Sequence, residues 1–492
     1  MPTSQIQPAA AGRQARVAVI SPYWTLWEHT AGPTFRADQL ERARAVAGEL
    51  GEGFEIVDVS EVASAEDGAA LAARLVAGSG WPAPGSGRPP VDVILVLQSM
   101  AVPSGFVLRA IEALAGVPVV IWAIHETGLV PGSFDHGGIT TQGATVGAPM
   151  LSNILARRER PFELILGRRG DPVTLGRVRR ALRLAAVARG IGTARLGRVG
   201  APLPGYLHVD VDDSVLRDAL GIEIVPIDPD EVVDRFLAVF EWQVEELEAE
   251  LRAGWDLAPE VTRDSLDRSL RAAIALEGLV RDHELDAGAF NCHVPQFRFG
   301  TIVGIAPCWG LGRLTTAGIP WTCTGDVLTA VAMLLTKRLG GAALYHEIET
   351  IDYSTGEVVI ANSGEHDLAW QAPGERPLAR PNGWFCGTDP HCGICAVLEP
   401  PAGPATLVGF TPHPQARGGF RFVVARGTLT ERRFPQTGTP NGAFRFGSGP
   451  VEEAWARWAA AGVNHHSSAT PGDLATDVAA VAAQLGIESI EV

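Results

Sequence analysis

Four short stretches carry residue types and spacings that could do chemistry. In the first, Cys323, Thr324, Gly325 and Asp326 follow a strand-like run and open an apolar helical segment that continues to Leu335. A helix amino terminus offers N–H groups and a positive dipole end to an anion or an oxygen-rich ligand. The plainer alternative is a capping turn in which Thr324 or Asp326 satisfies those N–H groups. In the second, the strand-turn-strand run at 343–370 brings Glu347 and His366 to comparable places on sequential strands. A carboxylate beside an imidazole suits a divalent ion such as Mn²⁺, whereas charged side chains on strands are otherwise solvated. In the third, His465 and His466 sit in a turn just before a helix. One ring of such a pair can enter a site while the other holds it, and the alternative is hydrogen bonding within the loop. In the fourth, Cys386, Cys392 and Cys395 lie beside His391. Three thiols and an imidazole can complete a zinc site, but only one C-x2-C pair is present; buried small thiols or a reactive thiol are the alternatives.

The elements that must position these residues are legible as alternating patterns. Residues 16–24 form a buried-strand pattern, 38–50 an amphipathic helix and 54–60 a second strand, which together make a βαβ unit. A Gly/Pro-rich bridge at 78–90 precedes a strand at 91–97, a helix at 106–114 and a strand at 117–124. Strands alternating with helices predict a parallel sheet with its ligand side at the carboxyl ends of the strands, which draws attention to His125 and Glu126. A second alternating set begins near 161–167 and runs through a basic helix at 175–189, a strand at 222–227, two long helices between 230 and 283, and a strand at 287–294. From Gly341 onward the pattern is strand, turn, strand, closing with a helix at about 471–485 and a last strand. The expected organisation is a disordered tail at 1–15, an α/β domain at 16–168, a second at 169–340 and a β-rich domain at 341–492.

The 492 residues exceed one ordinary core, and 46% hydrophobic with 20% charged residues is the balance of a folded chain. A net charge of -16 argues against a nucleic-acid backbone or an anionic membrane as the main partner. The first residues lack the apolar core of a secretory signal, and no apolar run of about 18 residues occurs. The cytoplasm is therefore the expected compartment, and the six cysteines read there as thiols.

Taken in order, CTGDVLTA, YHEIETID, SGEHDLAW and VNHHSS resemble the motifs of the L-fucose and L-arabinose isomerase family. That pattern has a Gly-Glu-Gly-Asp turn before a helix, a Glu in a strand, Gly-Ser-His-Met-Leu-Glu, and late in the chain Gly-Ala-His-His-Thr. Residues 307–321 and 403–429 extend the likeness, which is firmest from about 297 to 492. The resemblance implies two Rossmann-like α/β domains followed by a β-rich, barrel-like domain. It also implies a homo-oligomer, a trimer, tetramer or hexamer, with sites shared between neighbours. By position, Glu347, His366 and His466 would hold Mn²⁺ or another divalent metal, with His465 beside them on the substrate side and Asp326 as the Asp of the turn.

One position departs from that pattern: the acid of the turn falls on Thr324. An aldose–ketose isomerase needs acid/base groups flanking two adjacent carbons, and a neutral hydroxyl takes a proton poorly. Losing one general base removes about 10²- to 10⁴-fold in rate. Asp326 and Glu347 remain as acid/base candidates. Trp24, Trp27, Trp309 and Trp384 could stack on a sugar face or simply pack, and His125 and Glu126 would reach a ligand from a neighbouring subunit. The expected function is metal-dependent sugar isomerisation of a small polyhydroxylated carbonyl compound. The alternatives are a lyase, epimerase or hydrolase on the same scaffold, or a non-catalytic sugar-binding protein.

Overall fold

A computed structural model of the chain describes residues 14–51, 53–77, 91–298, 300–362, 364–383, 392–437, 439 and 441–492. The expected tail, apart from its last residues, and the bridge at 78–90 lie outside the described residues. The chain forms two compact units, one covering 13–193 with 483–486 and the other covering 194–482 with 487–492.

The first unit is built on a parallel sheet of β1 (Ala15–Pro22), β2 (Phe54–Val62), β3 (Val93–Gln98), β4 (Val119–His125) and β5 (Phe162–Arg168), in the order β2-β1-β3-β4-β5. Every pairing is parallel. The central strands are apolar on both faces because both faces are covered. Val17, Val19, Leu95, Val120 and Trp122 enter one core, and Ala18, Ile20, Ile94, Val96 and Ile121 enter the other. Residues 161–167, expected to start the second alternating set, instead form most of β5 at the edge of this first sheet.

The second unit contains a parallel sheet of β6 (Arg195–Val199), β7 (Glu223–Ile227), β9 (Ala287–Phe290) and β10 (Trp321–Cys323), in the order β10-β9-β6-β7; β8 (Asp256–Leu257) lies apart from it. The arginine-bearing β6 escapes a search for apolar runs. Trp321 sets the placement of β10: its ring lies over Gly288, where an added Cβ would come within 2.5 Å of it. The helix Val327–Gly340 follows β10 directly and is buried along nearly its whole length, which accounts for its apolar residues on all sides.

The remainder is mainly β. The strands are β11 (Leu344–Asp352), β12 (Glu357–Ala361), β13 (Leu378–Pro381), β14 (Ile394–Val397), β15 (Gly403–Pro412), β16 (Phe420–Leu429), β17 (Gly442–Phe446), β18 (His466–Pro471) and β19 (Glu488–Glu491). The sequence β15-β18-β11-β12-β17-β16 is antiparallel throughout, and β16 pairs back onto β15. Six strands thus close into a ring, with β19 added in parallel to β16. Leu344, Val358, Ile360, Leu407, Val423, Phe444 and Ala469 belong to one buried cluster of this region. β13 pairs with β14 on one side and β8 on the other, forming a small separate sheet. The fold is therefore mixed α/β with parallel sheets and a β-rich carboxyl-terminal region, as expected. No helix among the described residues is long and apolar enough to cross a membrane.

Candidate active site

The closing of the ring determines which residues meet. In the antiparallel pairing of β11 with β18, Glu347 stands opposite His466. Directly opposed side chains on one face of such a pair interact, and Glu347 Oε1 lies 3.2 Å from His466 Nε2 and 4.0 Å from His465 Nε2. Among the described residues, Glu347, His465 and His466 each offer a ligand atom within 4.8 Å of the others. His366 takes a different place from the one expected. β12 ends at Ala361, which is the residue paired with Glu347, so His366 falls in the turn beyond the strand. It is buried there, with Nε2 3.5 Å from Asn441 Nδ2. The backbone of the turn at 365–366 packs against Gly312, where a Cβ would come within 2.7 Å of the His366 carbonyl oxygen.

Asp326 holds the other side of His466. It caps the helix Val327–Gly340, accepting from the Thr329 N–H at 2.9 Å with Oδ1 and from the Thr329 hydroxyl at 2.8 Å with Oδ2. The same Oδ2 lies 2.8 Å from His466 Nδ1 and accepts from Asn464 Nδ2 at 3.3 Å. Asn464 Oδ1 in turn accepts from the His466 backbone N–H. The capping reading of the turn thus holds, and the same carboxylate reaches His466. Asp326 is fully buried and its oxygens are engaged, which suits it to positioning His466.

Thr324 adopts φ of 55° and Gly325 φ of 77°, two successive left-handed residues between β10 and the helix. This is an unusual conformation for a β-branched residue, and such outliers are a mark of functional segments. The Thr324 hydroxyl donates to the Cys323 carbonyl at 2.9 Å.

The electrostatics follow from burial and from two acids around one imidazole. Desolvation opposes charge on His466, but Asp326 and Glu347 on its two nitrogens outweigh it and raise the ring to about 9. Both partners are held below the ordinary carboxylate range by His466, against their own desolvation. His465 is pushed down to about 4, first by burial and then by the charge of His466, whose ring centroid is 3.6 Å away. Further along β11, Glu349 is raised by desolvation and by Glu347. Glu365 is fully buried, and burial raises it to about 7.

Several of these groups escape a sequence reading. Tyr206 and His208, in the loop after β6, bring their rings to 5.9 Å and 4.8 Å from the His465 ring. Asn464, beside the paired histidines, offers a signal in hindsight; Tyr206, His208, Glu349 and Glu365 offer none, because isolated polar residues in loops and on exposed strands read as solvated. Trp309 is placed in the core, packed with Trp255 at 5.9 Å between ring centroids. Trp24, His125 and Glu126 belong to the other unit. There Trp24 meets Trp27 edge-on, Glu126 pairs with Arg42 at 2.7 Å, and His125 ends β4 with a buried Nε2 that has no hydrogen-bond partner among the described residues. Cys386, His391 and Trp384 lie outside the described residues. Cys392 is disulfide-bonded, which corrects its reading as a thiol. Burial pushes the Cys395 thiol up to about 12.

A divalent metal fits the donor set. One carboxylate and two imidazoles are typical ligands, and an Asp on the far nitrogen of His466 is the usual means of directing the near one at an ion.

No family model matches the chain. It is similar to two proteins named sulfoquinovose isomerase, from Priestia aryabhattai and Priestia megaterium. Each is 25% identical over 357 residues, covering 71% of this chain and 74% of the relative.

Proposed function

We propose that the chain is a metal-dependent aldose–ketose isomerase of the fucose/arabinose isomerase type, acting on a hexose that carries an anionic group, with sulfoquinovose as the first candidate. The observation that carries this reading is the chain of contacts Asp326–His466–Glu347 with His465 adjoining, on a sequence similar to two sulfoquinovose isomerases over most of its length. A divalent ion held by these residues would supply the positive charge that polarises a sugar carbonyl. Glu347, half-buried and facing the histidines, and His466 are the proposed ligands. His465 and His366 compete for the third place, with geometry favouring His465. Asp326 fixes the ring of His466, and Glu347 is the proposed group that moves the proton between adjacent carbons. His125, Glu126 and Trp24 are proposed substrate contacts supplied by a neighbouring copy in a homo-oligomer.

The test is to strip the protein of metal, add back Mn²⁺, and follow sulfoquinovose, L-fucose and L-arabinose by NMR in D₂O. Deuterium entering beside the carbonyl together with a new ketose, lost on chelation and in Glu347→Ala, is the expected result. No exchange with any sugar under any metal would sink the reading. The hydroxyl in place of an acid at Thr324 favours one second reading, an epimerase using the same proton transfer, and that would show as a new aldose instead of a ketose.

A further inference from the structure

Among its described residues, the unit that carries the site buries six acids: Glu277, Asp286, Asp326, Glu357, Glu365 and Asp367. Five have partners. Glu277 meets Arg313, Asp286 meets Arg338, Glu357 meets Arg445, Asp367 meets Lys337, and Asp326 meets His466. Glu365 is the exception: it is fully buried, and neither carboxyl oxygen has a hydrogen-bond partner among the described residues. Its own N–H and the Cys308 thiol act on the carboxyl, and so do the charges of His466 and Glu347. A buried polar group without partners costs free energy and calls for a ligand or another explanation.

Its placement is built rather than loose. Asn362 Oδ1 accepts from the N–H groups of Gly364 at 2.6 Å and Glu365 at 3.1 Å, and Asn362 Nδ2 donates to the Glu365 carbonyl at 3.3 Å. Gly364 has φ of 128°, and a Cβ there would come within 2.7 Å of Cys395 Cβ. The resemblance described under Sequence analysis points the same way. In the resembled motifs an acid occupies the place of Thr324 and a serine the place of Glu365. This chain has the reverse, a hydroxyl where the acid stands and an acid where the hydroxyl stands.

We infer that Glu365 is a substrate-contacting residue, its free oxygens meeting hydroxyl groups of the bound sugar and supplying the carboxyl that Thr324 does not. The inference rests on the isomerase reading above.

It is tested on the full chain loaded with Mn²⁺, by calorimetric binding of the alditol made by reducing sulfoquinovose, with metal content and thermal midpoint measured alongside. Glu365→Ser should weaken alditol binding by about 10- to 100-fold, with metal content unchanged. Thr324→Glu combined with Glu365→Ser should recover most of that loss. Glu365→Gln keeps the volume and serves if the serine variant does not fold; it should also bind more weakly. Unchanged alditol binding in these variants, or loss of metal in Glu365→Gln, would overturn the inference while leaving the isomerase reading standing. A wild-type protein that binds neither Mn²⁺ nor the alditol would remove both.

Discussion

His466 is bracketed by two carboxylates, and each does a different job. Asp326 has its oxygens taken up by Thr329, Asn464 and His466, so it acts as an orienting group. Asp326→Asn should therefore weaken metal binding by about 10- to 100-fold, read by titrating stripped protein. Glu347→Ala should abolish stoichiometric metal, read by elemental analysis. At this scale the sequence was partly legible. The paired histidines and Glu347 stand out by type, and Asp326 by its place at a helix start. The partner of Glu347 did not stand out, since the hairpin pattern points to His366 while the register of a strand more than a hundred residues later brings His466. Glu365 was illegible for another reason: its burial comes from helix and strand neighbours that no local pattern names.

Among the elements, the helix Val327–Gly340 is tied to the turn after β12 by a buried ion pair, Lys337 Nζ to Asp367 Oδ2 at 2.7 Å. Asp367 also accepts from the N–H groups of Ala343 and Ala369, at 2.8 Å and 3.0 Å. Asp367→Ala leaves the buried ammonium with no counter-charge, only the Thr316 carbonyl at 3.5 Å, and should cost about 3–5 kcal/mol, measured by urea unfolding. On β11, His346 is fully buried and lies 3.1 Å from the Ser467 hydroxyl, and burial holds its ring down near 4. Between about 6.5 and 4 the unfolded chain therefore binds a proton that the folded chain refuses. Stability from this group is complete above 6.5 and falls as the pH drops through that window, by up to about 3 kcal/mol. Unfolding curves at pH 7.5 and 4.5 should show the loss, and His346→Gln should reduce it. Most strands and helices could be read from periodicity, because each is a local pattern. The closed ring could not, since closure joins β18 to β15 and to β11, and no local pattern encodes those pairings.

For the whole molecule, the division into two compact units bears on where the site's integrity resides. Glu347, His465, His466, Asp326 and Glu365 all belong to the same unit. Four thiols of that unit, Cys292, Cys308, Cys323 and Cys395, are buried. They should resist a thiol reagent at pH 8 in the native protein and react on unfolding; rapid native reaction would show that the unit opens readily.

The pairing of β11 with β18 has one more consequence. Glu347 and His466 come from strands far apart in sequence that adjoin only when the ring is shut. An ion gripping both would act as a clasp on that seam, and occupancy would be inseparable from closure. At a hundred times its dissociation constant such a ligand adds about 2.7 kcal/mol. Metal supply would then govern how long the folded chain survives proteases.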